Sequence, residues 1–317
     1  MTGLTIDWLL DPRQSDPAIR WQVMRDLLDA PEAEWSAGRA KVETEGWGAR
    51  LLSLEDDDGQ WAGGAFFPGD WDWDKPEPGQ PWTTTTHSLS LLREFGLDPS
   101  TERAQRMVAL IGENSRWDHA GQPYWEGEVE PCINGRTVAS GVYFGVDMSP
   151  LVDRLVGERL DDGGWNCEAE NGSVRSSFAT TINVLEGLME FERATGGTDA
   201  SRDARRAGEE YLLERRLFRR LSTGEPVDER FLNLLHPNYW RYDVLRALDY
   251  FRSTGAGPDP RLSEAIDHLR SRRLDEGTWP LDWRPTGRVW FEVDDGPGEP
   301  SRWMTLRALR VLRWWES

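Results

Sequence analysis

Along the chain, apolar residues recur at intervals of three and four, the spacing that gathers them on one face of an α-helix. The stripe is explicit in Phe178, Ile182, Leu185 and Met189, in Trp240, Val244, Ala247 and Phe251, and in Met304, Ala308, Val311 and Trp315. A second stripe, Val184, Leu188 and Phe191, runs beside the first, so that helix is apolar on more than one side and belongs in an interior. Each stripe surrounds a related core. The clearest are Val184-Leu185-Glu186-Gly187-Leu188, Val244-Leu245-Arg246-Ala247-Leu248, Thr305-Leu306-Arg307-Ala308-Leu309 and Ser88-Leu89-Ser90-Leu91-Leu92, with weaker copies from Val23 and Val138. Six copies predict six buried inner helices, near 17–28, 82–95, 135–146, 177–192, 239–252 and 301–315.

More polar amphipathic stretches, at 36–53, 101–114, 148–160, 202–220 and 261–273, alternate with them and predict an outer layer. Gly96, Gly196-Gly197 and Gly255 follow inner segments as left-handed stop residues. Strand signals are nearly absent. Three turns recur two repeat lengths apart: Asp56-Asp57-Asp58-Gly59-Gln60-Trp61, Asp161-Asp162-Gly163-Gly164-Trp165 and Asp275-Glu276-Gly277-Thr278-Trp279. Stacked helix pairs build an open solenoid or a ring, and a first helix able to pair with the last favours the ring. The expected fold is all-α: an (α/α)6 toroid of six inner and about six outer helices, with Asp-Gly-x-Trp turns between layers, as a single domain over 1–317.

Charge and composition narrow the partners. The net charge is -19, from 56 acidic against 37 basic residues, and only Lys41 and Lys75 are lysines. Such a surface repels phosphate backbones and anionic headgroups, so neither nucleic acid nor electrostatic membrane docking is expected. Met1 to Pro12 lacks the features of a secretion signal, and no run of apolar residues is long enough for a transmembrane segment; a cytoplasmic location is expected. Two cysteines, Cys132 and Cys167, are too few for a disulfide framework. Eighteen tryptophans in a chain only 38% hydrophobic mean that aromatic area replaces aliphatic area in the core or around a cavity.

The Asp-Gly-x-Trp turn followed by a buried helix resembles the repeats of squalene-hopene and oxidosqualene cyclases and the Gly-rich repeats of protein prenyltransferase β subunits, over most of 17–316. The resemblance implies a toroid with its site inside the ring: a hydrophobic, isoprenoid small molecule in the central cavity, with cyclase or transferase chemistry. The catalytic signatures of those relatives are not matched. The string closest to an Asp-x-Asp-Asp acid is Glu292-Val293-Asp294-Asp295, and no Asp-x-Cys occurs; Asn166-Cys167 follows a turn instead.

Aligning the six cores sets Gln22, His87, Thr137, Asn183, Asp243 and Met304 in one column, mostly polar within apolar helices. A polar ring at one end of an apolar cylinder suits a ligand site; helix capping and inter-helix hydrogen bonding would use the same residues. His87 with Asp243 is a candidate acid-base pair. Asp72 and Asp74, in Asp70-Trp71-Asp72-Trp73-Asp74, are further catalytic candidates. The substrate-binding candidates are Trp71, Trp73, Thr84, Arg136, Thr181, Asn183, Trp240, Arg241, Tyr242, Arg302 and Trp303. No metal is favoured; zinc would take Cys132, Cys167 and His236, and magnesium would take Asp161, Asp162, Glu168 and Glu170. Phosphate-loop, His-Glu-x-x-His and Gly-x-Ser-x-Gly motifs are missing. Two other functions stay open: a non-catalytic ring presenting its acidic rim to a protein partner, with exposed aromatic patches and no deep pocket, or carbohydrate processing between two carboxylates drawn from Asp72, Asp74, Glu168, Glu170 and Glu292.

Overall fold

The three Asp-Gly-x-Trp turns fold alike in the computed structural model, which describes residues 3–317. Each indole N–H donates to a leucine carbonyl ten residues back: Trp61 to Leu51 at 2.9 Å, Trp165 to Leu155 at 2.6 Å, Trp279 to Leu269 at 2.7 Å. Each tryptophan backbone N–H donates to a threonine hydroxyl ahead in the chain, on Thr85, Thr181 and Thr305, at 3.2, 3.1 and 3.0 Å. Gly59, Gly163 and Gly277 supply the left-handed corner, with φ of 85°, 101° and 84°. Because the leucines close outer helices and the threonines open inner ones, each turn staples an outer helix to the next inner one across a fully buried indole.

The described residues form thirteen α-helices, twelve of them of eight residues or more, and one two-residue strand pair, Trp279–Pro280 with Pro300–Ser301. In order they are α1 (Gly3–Leu10), α2 (Pro17–Asp26), α3 (Glu32–Ala40), α4 (Gly46–Leu52), α5 (Thr85–Phe95), α6 (Glu102–Asn114) and α7 (Pro131–Tyr143). After these come α8 (Ser149–Gly157), α9 (Phe178–Thr195), α10 (Asp199–Glu214), α11 (Val244–Ser253), α12 (Ser263–Ser271) and α13 (Arg302–Trp315). The protein is all-α.

The buried helices are α2, α5, α7, α9, α11 and α13, each contacting its neighbours. Helix α2 packs on α5, α5 on α7, α7 on α9 and α11 on α13, while α13 also packs on α2. Between α9 and α11, the Arg246 guanidinium donates to Glu186 at 2.6 and 2.7 Å. Between α13 and α2, Arg310 donates to Gln22 at 3.0 Å and to Asp26 at 3.1 Å, and its other edge reaches Asp249 of α11 at 2.7 Å. Helices α7 and α9 approach closest, at glycines: a Cβ on Gly135 would stand 2.4 Å from the Asn183 carbonyl oxygen.

Local chemistry moved several boundaries from their expected places. Helix α7 starts at Pro131 rather than 135, since proline suits a first turn whose N–H groups lack intrahelical partners. Helix α11 starts at Val244 rather than 239 because the Asp243 carboxylate caps it, accepting from the Arg246 N–H at 2.8 Å. The outer stretch expected over 36–53 is broken into α3 and α4 at Gly46, whose φ is 67°. Asp16 occupies the space a Cβ would need there, and accepts from both Ala18 N, capping α2, and Trp47 N, at the start of α4.

Candidate functional site

A chamber of about 640 Å3 lies at the amino-terminal ends of α7 and α9. Its walls are aromatic, from Phe66, Phe67, Trp73, Trp117 and Trp240, and its polar pole carries Asp118, Glu128 and Glu130 with Cys132 and Cys167. Among the described residues no arginine or lysine borders it. Trp240 is held by its indole N–H donating to Gln80 at 2.8 Å, and Phe67 packs on Trp71 and Trp73 at ring separations of 5.3 and 4.6 Å.

Cys132 sits in the first turn of α7, and Cys167 in the loop that follows the second Asp-Gly-x-Trp turn. Their sulfurs are 2.7 Å apart, both as free cysteines, and Glu130 Oε2 is 3.5 Å from Cys132 Sγ. Thr180 donates its hydroxyl to Cys167 Sγ at 3.3 Å. The hydrogen bond to Cys167 and burial, with Glu130 adding to them, push the Cys132 thiol well up, so without a cation it stays protonated at neutral pH. Ligand atoms of Glu130, Cys132 and Cys167 all lie within 4.8 Å of one another. Two thiols and a carboxylate are donors that zinc takes, with a fourth position left over. His236, expected with them, is elsewhere: its Nε2 is 3.2 Å from Glu94 and its ring stacks on Trp303, because the loop before α11 turns toward α5 and α13.

Further along the same helices is a second cavity, of about 420 Å3, to which all six buried helices contribute. It is not the apolar cylinder expected: eight arginines and four carboxylates border it. Each buried helix contributes only one to three of these charges, so every helix still reads as largely apolar by itself. Burial raises the Glu94 and Asp249 carboxyls, but Arg307 and Arg310 respectively outweigh it and hold both well below the ordinary range.

The other sequence candidates scatter. His87 lines neither cavity; Thr84 Oγ1 lies 2.9 Å from its Nδ1, Trp82 and Tyr239 meet its ring edge-on, and burial followed by Arg136 pushes its pKa down, leaving a neutral imidazole. Asp243 spends its carboxylate on Arg246 N, Leu235 N and the Asn238 amide, and no hydrogen bond joins it to His87. Asn183 bridges α9 to the Trp240 carbonyl at 2.8 Å, and Tyr242 donates to the Leu217 carbonyl at 2.6 Å. Thr181 serves the Trp165 turn, and Arg241 lies over Trp240 and Trp283. Arg302 covers Trp8. Trp303 is buried against His236, Trp47 and Phe95. Asp72 and Asp74 are exposed, Asp72 closing its own turn on Asp74 N; Trp71 stands behind Trp73. Asp162 accepts from Ser176, Glu292 pairs with Arg284, and Asp294 accepts the Ser301 hydroxyl. Of the expected residues, Trp73, Trp240, Cys132 and Cys167 border the chamber, and Arg136 and Gln22 the deeper cavity. Sequence reasoning passed over Phe66, Phe67, Asp118, Glu128 and Glu130; the signal for the last was Glu130-Pro131-Cys132, a carboxylate two residues before a thiol.

The chain is an all-helical protein in which buried helices alternate with more exposed ones. A crystal structure of a protein from Actinoplanes matches it with a TM-score of 0.51 and 15% identity, over 99% of this chain and 98% of that one, and the likeness is one of fold. A type II terpene cyclase from Scytonema, solved with its substrate geranylgeranyl dihydroxybenzoate, aligns with a TM-score of 0.44 and 14% identity, over 98% of this chain and 94% of that one. No protein-family description and no curated protein matches the sequence. Among the described residues no helix is long and apolar enough to cross a membrane.

Proposed function

We propose that the six buried helices close into an (α/α)6 toroid and that its mouth chamber binds a hydrophobic small molecule, of prenyl or aromatic character and uncharged or cationic, as a cyclase- or transferase-like protein. The circuit of contacts from α2 round to α13 and back supports the ring. The reading rests chiefly on the chamber wall, five aromatic rings facing an acidic pole that, among the described residues, holds no arginine or lysine. Indole and phenyl faces take apolar chains and attract cationic centres, whereas the carboxylates repel a free diphosphate. Glu130, Cys132 and Cys167 would hold a zinc ion, which when bound would polarise a ligand oxygen or activate a thiolate. Glu128, buried beside them, has its carboxyl pushed up by burial and is suited to hold a proton facing the ligand.

Native mass spectrometry with elemental analysis, on protein purified gently from a lipid-producing host, tests this. The expected result is a bound neutral prenyl-like mass, and farnesol affinity that falls about tenfold in Trp240→Ala through loss of one stacking wall. Farnesol binding that ignores Trp240→Ala would refute it. A sugar ligand is the second reading, because Asp118 and Glu128 are carboxylates bordering the same aromatic chamber; Asp72, Asp74, Glu168, Glu170 and Glu292 do not border it. Oligosaccharide binding in the same assay, with none of farnesol, would select it.

A further inference from the structure

Arginines buried in a protein are ordinarily paired, since an isolated buried charge costs several kcal/mol. Three arginines here are at least nine-tenths buried: Arg136, Arg246 and Arg310, with 6%, 7% and 9% of their surface exposed. Arg246 is held by both oxygens of Glu186, by Asn183 and by the Arg241 carbonyl. Arg310 is held by Asp249, Asp26 and Gln22. Arg136, one turn along α7 from Cys132, has no ion pair, no hydrogen bond and no stacked ring among the described residues. Its Nε is buried without a partner, and its side chain borders the deeper cavity. Glu186, the carboxylate whose charge it feels, is already committed to Arg246. Burial, then the neighbouring Arg246, lowers the Arg136 pKa to about 10, which leaves it charged at neutral pH.

The surroundings match. Eight arginines against four carboxylates make the cavity wall cationic in a chain of net charge -19. Arg93, whose Nη1 lies 3.5 Å from Glu190, adds a second Nε without a partner. Tyr239 lines the cavity with a hydroxyl that makes no hydrogen bond among the described residues, its ring stacked on Trp82 at 4.2 Å and its backbone at a φ of 48°, a conformation a tyrosine adopts only where its surroundings impose it.

We infer that the deeper cavity is a second binding site, for a small oxyanion, a phosphate or a carboxylate group, received by the Arg136 guanidinium with Arg93 and Tyr239 beside it. A planar guanidinium matches both groups through paired N–H donors. The site shares no lining residue with the mouth chamber, so it stands or falls independently of the ligand proposed there.

The test uses the full chain with inorganic phosphate, pyrophosphate or succinate, each against chloride at matched ionic strength, followed by scanning and titration calorimetry. The expected result is saturable stabilisation by at least one of them, raising Tm by about 2 to 5 °C at saturation; succinate ahead of the phosphates identifies a carboxylate ligand, and the reverse a phosphate. In Arg136→Met the response disappears while the anion-free Tm holds or rises, since an unpaired buried charge has been removed. An arginine with a purely structural role would instead lower that Tm. No saturable response to any of the three, or an unchanged response in Arg136→Met, overturns the inference. Should that variant not fold, tungstate soaked into wild-type crystals decides: density beside Arg136 supports the site, and density only elsewhere refutes it.

Discussion

The mouth chamber and the deeper cavity share helices α7 and α9, yet one is bordered by three carboxylates and no arginine or lysine, and the other by eight arginines and four carboxylates. The contrast follows from what each region joins. At the chamber α9 is secured locally, by its Ser177 cap and by the Trp165 staple, and among the described residues no guanidinium-carboxylate pair links helices across the chamber wall. Deeper in, neighbouring helices are cross-linked by guanidinium-carboxylate pairs, among them Arg246 with Glu186 and Arg310 with Asp249 and Asp26. The arginine-lined half is a scaffold with the Nε donors of Arg93 and Arg136 left over, and the chamber at the helix starts is a surface freer to vary.

The largest effect should come from Arg310→Met, which strips Asp249, Asp26 and Gln22 of a shared partner where the last helix meets the second. We expect a loss of about 3–5 kcal/mol in urea unfolding, the scale for breaking one side of a buried ion pair. Trp73→Ala at the mouth, 65% exposed, should stay within about 0.5 kcal/mol. Equal losses would erase the distinction between scaffold and surface. Next come the staples: Trp165→Phe leaves the Leu155 carbonyl buried without its donor and should cost about 1–3 kcal/mol, with Trp61→Phe and Trp279→Phe alike, if the turns are equivalent.

Two of these features were readable in advance, and for the same reason. Trp165 and Gly163 are rare residue types at fixed spacing, and the turn they make is local. The apolar periodicity of 178–189 likewise belongs to one helix. Gly46 was missed because the pressure on it comes from Asp16, thirty residues away. The arginine cavity was missed because Arg93, Arg136, Arg246, Arg307 and Arg310 are spread one or two to a helix, and only the convergence of α5, α7, α11 and α13 makes them a site. The polar column was visible but largely spent on structure, Gln22 and Asn183 bridging helices and Asp243 capping one. Of the three proposed zinc ligands, position before successive helices found the two cysteines, but could not show that Glu130 joins them and His236 does not.

The smallest effect is a difference of sign in pH dependence. The Glu94 carboxyl is held below its ordinary value of 4.5, so its contribution to stability is present above that value and lost as pH falls toward the folded one. The Glu128 carboxyl is raised above 4.5, so its contribution favours folding at low pH and fades as pH rises through its folded value. Stability-against-pH curves of Glu94→Gln and Glu128→Gln, each subtracted from wild type, should therefore slope in opposite directions. Parallel difference curves would mean that the two regions do not differ electrostatically.

The most direct test of the central claim is a crystal structure of the protein soaked with farnesol, a neutral isoprenoid. The account predicts density in the mouth chamber against Phe67, Trp73 and Trp240, with the arginine cavity free of it; an empty chamber with farnesol lodged elsewhere would contradict it.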